Sequence, residues 1–188
     1  MIVKQDGNVW STAISLRGVV SLSGTSNRFA QVISGDAISA AAGPAFSIVL
    51  KHDGSVWSMG RNYQGQLGTG TRTKKRTFSF VQSISGAKDV TAGGSHTMLL
   101  TQDGCVLVTG WNKYGQLGDD STSDKSIFSL VIPSGAKTVA AGDAHSLLLK
   151  GDGSVWATGR NYHGQLGDGS NTDSRNFVNI MILSLIHI

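Results

Sequence analysis

The chain has 188 residues and a formal net charge of +4; 25 residues are Gly and all 12 acidic residues are Asp. Glu favours helices while Asp and Gly favour turns, so this composition excludes a helical bundle and points to short strands joined by tight turns. No stretch approaches the ~18 apolar residues of a membrane helix, and the single cysteine, Cys105, excludes an internal disulfide or a CxxC metal site.

In chain order, the N-terminal segment MIVKQDGNVW reaches Asp6 too early for the apolar core of a signal peptide. A cytoplasmic or nuclear location is therefore expected, with no membrane partner. Asp-Gly pairs then recur at Asp6-Gly7, Asp53-Gly54, Asp103-Gly104 and Asp152-Gly153. A second block, Gly60-Arg61-Asn62-Tyr63-Gln64-Gly65-Gln66-Leu67-Gly68, returns at residues 110–118 and again at 159–167. A third, Ala92-Gly93-Gly94-Ser95-His96-Thr97, returns as Ala141-Gly142-Asp143-Ala144-His145-Ser146, with Ala42-Gly43-Pro44-Ala45-Phe46-Ser47 as its earlier copy. Three blocks in fixed order at a period of about 50 residues define a repeat protein.

Within one unit, residues 96–101 and 105–109 are apolar runs of strand length on either side of an Asp-Gly pair. This is a hairpin signal, with a type I′ turn expected. Nearly continuous apolarity implies strands covered on both faces. Val90-Thr91-Ala92 and Phe128–Ile132 complete a four-stranded unit. Four antiparallel strands per repeat predict an all-β fold, a β-propeller of four-stranded blades.

The pattern D-G-x-V-W-x-x-G-x-N-x-x-G-Q-L-G, followed by A-x-G-x-x-H-S/T-x-x-L, resembles the regulator of chromosome condensation repeat. The resemblance covers about residues 41–183 in three close copies. It implies a seven-bladed propeller and a family that includes an exchange factor for a small nuclear GTPase, a plant ultraviolet photoreceptor, propellers attached to ubiquitin ligases, and bacterial proteins that bind other proteins. Seven units need roughly 350 residues on that expectation, so the chain is read as an open arc of about four blades. The expected divisions are 1–40 (a degenerate copy, with Ala13 in place of Gly60 and Val19-Val20-Ser21 in place of Gln66-Leu67-Gly68), 41–89, 90–138 and 139–183. Residues 184–188 match nothing in the other copies and are expected to be a non-native tail. The native polypeptide is expected to be longer.

Each motif residue has a structural use. Gly65, Gly68, Gly115, Gly118, Gly164 and Gly167 allow tight turns or close backbone approach. The intervening Gln66-Leu67, Gln116-Leu117 and Gln165-Leu166 complete the block, with the leucines plugging between blades. Asn62, Asn112 and Asn161 suit bonding to loop backbone. His96 and His145 share a slot that Phe46 fills in the earlier copy, so they are read as packing positions. No phosphate loop, EF-hand spacing or nucleophile elbow is present. The expectation is no enzyme activity, no cofactor and no metal.

What differs between copies carries the functional reading. Arg61, Tyr63, Trp111, Lys113, Arg160, Tyr162 and His163 vary inside the fixed block, and the loop that follows runs Arg72, Lys74, Lys75, Arg76 in the first copy. Equivalent propeller loops emerge on one face, and aromatic and Arg side chains are enriched at interface hot spots. The chain is thus expected to bind another protein, nucleic acid being an unlikely partner. The alternatives carried by the resemblance are exchange on a small GTPase and the propeller region of a HECT-type ubiquitin ligase, a ubiquitin-pathway role.

Overall fold

The computed structural model describes residues 1–12 and 29–182. Within them every regular element is a strand. The first sheet holds β1 (Ile2–Val3), β2 (Val9–Thr12) and β3 (Phe29–Ile33). The second holds β4 (Ala37–Ala42), β5 (Phe46–Lys51), β6 (Ser55–Gly60) and β7 (Lys75–Ser83). The third contains β8 (Ala87–Ala92), β9 (His96–Thr101), β10 (Val106–Gly110) and β11 (Lys125–Ile132), and the fourth β12 (Ala136–Ala141), β13 (His145–Lys150), β14 (Ser154–Gly159) and β15 (Ser174–Ile182). Each four-stranded sheet is an antiparallel meander in simple order, the expected propeller blade. The Ala13 and Val19–Ser21 differences of the first copy, and the tail 184–188, lie outside the described residues.

The core is three layers, one between each successive pair of sheets. Val9 packs with Ala37 and Val49. Ile48, Leu50 and Val56 meet Ala87, Val90, Leu99 and Phe128. Met98, Leu100, Val106 and Val108 meet Ala136, Val139 and Leu148. Strand β9 is therefore buried at every position, because alternate side chains enter different layers. Continuous apolarity in residues 96–101 was the sequence's record of that double cover.

The Asp-Gly hairpins form, but with a different turn from the expected type I′. Gly54, Gly104 and Gly153 have φ of 79°, 77° and 85°, while Asp53, Asp103 and Asp152 keep negative φ. The bonds Gly54 N→Lys51 O, Gly104 N→Thr101 O and Gly153 N→Lys150 O define three-residue loops, a type I turn closed by a left-handed Gly. The aspartate explains the choice in two of them: Asp53 and Asp152 accept the N–H two residues on, Ser55 and Ser154, each at 2.8 Å.

This meander sends the β4–β5 turn and the long β6–β7 loop to one end of the sheet, and the Asp-Gly hairpin to the other. The same holds for the third and fourth sheets. Loops 61–74, 111–124 and 160–173 consequently crowd one face, where the variable residues lie.

Candidate functional site

The loop face is a fixed frame carrying a variable crest. The frame begins with Asn62, Asn112 and Asn161, each fully buried. Their Oδ1 atoms accept the backbone N–H of Leu67, Leu117 and Leu166 at 3.0, 2.9 and 2.9 Å. Their amides donate back across the loop, Asn62 to Thr71 O and Thr73 O, Asn112 to Asp119 Oδ1 and Ser121 O, Asn161 to Asp168 Oδ1 and Ser170 O. Gln66, Gln116 and Gln165 close the tight turn by accepting the N–H of Gln64, Tyr114 and His163. Leu67, Leu117 and Leu166 are buried, Leu117 within the layer between the third and fourth sheets.

The frame is fastened to the next sheet through its own carbonyls. Gln66 O accepts from Thr97 Oγ1 at 2.8 Å, and Gln116 O from Ser146 Oγ at 2.7 Å. Gly65 O and Gly115 O accept from Thr109 and Thr158. The glycines allow this approach: a Cβ on Gly65 would stand 2.5 Å from Lys125 O, and one on Gly115 would stand 2.5 Å from Arg175 Cα. Gly118 likewise faces the Phe177 ring.

His96 is one of these fasteners. The Ser146 hydroxyl donates to Gln116 O, so His96 Nε2–H donates to Ser146 Oγ at 2.9 Å, and the ring's other nitrogen is buried with no partner among the described residues. Burial, reinforced by the nearby His145 ring, lowers the His96 pKa to about 4. His145 is half-buried and is also lowered by burial, against the pull of Asp143. Because the unfolded imidazole protonates near 6.5 and the folded one near 4, the neutral ring's contribution is intact above 6.5 and is lost as pH falls towards 4. Wild type is expected to lose about 2–3 kcal/mol more between pH 7 and 4.5 than His96→Phe, which borrows the residue of the equivalent slot at 46. Denaturant unfolding at the two pH values checks this; parallel losses would remove His96 from the account.

The crest stands above the frame. Arg160 lies over the Tyr114 ring, 5.2 Å from its centroid, with Lys113 Nζ at 5.5 Å and Trp111 edge-on at 5.3 Å. Tyr162, 68% exposed, contacts His163 edge-on at 4.8 Å. Tyr114, Arg160, Tyr162, Asn171, Thr172 and Asp173 line a shallow depression of about 460 Å³. The structure thus brings Trp111, Lys113 and Arg160 together around Tyr114, with Tyr162 beside Arg160 on the rim of the depression.

Arg61 and Tyr63 form a separate pair at 5.2 Å on the first loop. Arg72 crosses to the second loop and meets Asp124 Oδ2 at 3.3 Å. Lys74 ends the first loop, and Lys75 and Arg76 open β7 without an ion pair among the described residues. Tyr114 escaped the sequence reading. It occupies the column of Gln64 and His163, and a comparison of that column across the copies would have found it.

Two aspartates brace the second loop. Asp124 Oδ1 accepts Asn112 N at 2.9 Å, and Asp119 bonds Asn112, Ser121 and Lys125. Burial raises the Asp119 carboxyl pKa, but the bonds from Ser121, Lys125 and Asn112 outweigh it and hold it below the usual range. In the third loop Asp173 Oδ1 accepts Asn161 N at 2.7 Å and Asp168 bonds Ser170. Among the described residues no cluster of His, Cys and Asp is arranged to hold a metal, and no helix is long and apolar enough to cross a membrane.

Successive four-stranded meanders joined by these loop frames define a β-propeller built from a sequence repeat of about 50 residues. The Regulator of chromosome condensation (RCC1) repeat matches residues 53–100 and 103–149, and a second description of that repeat matches 37–66, 87–116 and 136–165. The chain belongs to the RCC1 repeat family. Human WBSCR16 is similar in structure, with 26% identity and a TM-score of 0.71 over 80% of this chain and 42% of that one. Yeast RCC1 (Prp20), solved bound to Kap60, gives 21% identity and 0.69 over 80% and 39%. Prp20p from Saccharomyces cerevisiae, described with its binding properties to Gsp1p and histones, gives 22% identity and 0.69 over 80% and 41%. The chain therefore spans about two fifths of each of these structures. No curated protein sequence matches it significantly.

Proposed function

We propose that this chain is a non-catalytic protein-interaction module whose partner-reading surface is the loop crest. The observation that carries the reading is the division of labour within each repeated block. Asn62, Asn112 and Asn161 are fully buried and spent on internal bonds, while Tyr63 and Tyr162 between them are 60% and 68% exposed. A frame that fixes the backbone lets exposed aromatic and cationic side chains bind at low entropic cost.

Prp20p, alike in fold, binds Gsp1p and histones, so these are the first partners to assay, and faster nucleotide release would favour the exchange reading. Alanine at both Arg160 and Tyr162 is expected to weaken the partner complex at least tenfold, the scale of a hot-spot loss. Alanine at His52 and Lys137, exposed on the opposite face, should leave it unchanged. Equal effects from the two pairs, measured by titration calorimetry, would remove the crest from the function.

A further inference from the structure

The three loops are not equivalent in one respect that has chemical consequences. In the second and third, the backbone N–H of the frame Asn is held by a carboxylate twelve residues on, Asp124 at 2.9 Å and Asp173 at 2.7 Å. In the first loop the residue twelve after Asn62 is Lys74, and Thr69 stands where Asp119 and Asp168 stand in the others. Both internal carboxylates have been replaced, one by a hydroxyl and one by a cation. The rest of the frame is unchanged: Asn62 still accepts Leu67 N and still donates to Thr69, Thr71 and Thr73.

The surroundings are cationic. Between Asp53 and Asp89 the chain carries no carboxylate at all, while Arg61, Arg72, Lys74, Lys75 and Arg76 cluster at this loop. Arg72 is the member of this group with an ion pair among the described residues, and its partner, Asp124, belongs to the neighbouring loop. The Asn62 N–H is a donor whose two siblings are each closed by an Asp side chain. Asn62 is fully buried, so a carboxylate supplied from outside reaches it only as the loop opens, drawn by the basic residues of this segment.

We infer that the first loop is a seat for a carboxylate of an acidic protein segment, which takes at Asn62 N–H the place that Asp124 and Asp173 take internally, with Lys74 moving aside to pair with it. This rests on the protein-interaction reading and specifies its partner as acidic. The cation–π pair of Arg61 and Tyr63, 5.2 Å apart, stands on either side of Asn62 in the sequence and would hold the segment's next side chains.

The test uses the full chain and a fluorescein-labelled decapeptide of alternating Asp and Ser, followed by anisotropy at low ionic strength. Wild type is expected to bind it and not the Asn-Ser control. Lys74→Asp fills the seat from within: it should weaken the peptide at least tenfold and raise Tm by about 2–4 °C. Lys88→Asp, the same charge change at an exposed residue of β8 outside this basic group, should weaken binding less than threefold and leave Tm unraised. Equal loss in both variants would reduce the attraction to general electrostatics and overturn the seat. So would tighter binding of a ten-residue oligothymidylate, or no binding of the peptide by wild type. None of these outcomes bears on the crest, whose test is the Arg160 and Tyr162 pair.

Discussion

Replacing Gly68 by Ala is expected to cost about 3–4 kcal/mol, and replacing Gly167 by Ala about 1 kcal/mol. The two glycines occupy the same slot and share the same φ of 73°. Left-handed backbone alone penalises an L side chain by about 1 kcal/mol, and that part is common to both. The difference lies in what a Cβ would meet. At Gly68 it would stand 2.5 and 2.7 Å from the Phe128 ring, which is buried in the layer between the second and third sheets. At Gly167 no described atom lies within 4 Å. A buried ring cannot retreat without opening that layer, so the extra carbon is paid for by core packing. Denaturant midpoints for the two variants measure the contrast, and equal losses would mean that the turn, not the inter-sheet contact, sets the requirement.

Asn112→Ala is expected to destabilise by about 3 kcal/mol or more. The side chain accepts Leu117 N at 2.9 Å and donates to Asp119, Ser121 and Ser123 within a fully buried site. Alanine would strand the Leu117 N–H without water, costing about 1–3 kcal/mol, and would release the loop from its donor besides. Asn112→Asp separates the two halves. A carboxylate still accepts from Leu117 but cannot donate, and it would face the Asp119 carboxylate across the former bond. It should be no more stable than alanine. Recovery of wild-type stability in that variant would show that the amide's donor side carries little weight.

Much of this is legible in the amino-acid sequence. Periodic recurrence placed the strands, since β8 to β11 fall on the runs read from residues 90 to 132 with shifts of a few residues at their ends. Repetition also exposed the frame, because Asn, Gly, Gln and Leu return in fixed order wherever a tight loop must be built. The hairpin turn differs from the expected type I′ for a local reason: the sequence Asp-Gly permits both a two-residue and a three-residue loop. The register of the flanking strands, together with the aspartate bond to the second N–H beyond, selects between them.

Tyr114 shows a different limit. Its importance lies in a neighbour from another blade, Arg160, 46 positions away, and no local pattern reports that meeting. The Asp124 and Asp173 braces were equally hidden. Aspartates in a polar loop read as solvated until the loop curls back and brings them to a frame N–H.

By itself, then, the sequence determined the repeat, the strands, the hairpins and the identity of the turn-forming residues, because these follow from short-range backbone preference and alternation of apolar side chains. Only the tertiary structure decided which glycines lie against a neighbouring sheet and which ring nitrogen of His96 carries the proton. Those outcomes depend on atoms about fifty residues apart meeting across a blade boundary, a distance at which the chain's local chemistry has nothing to say.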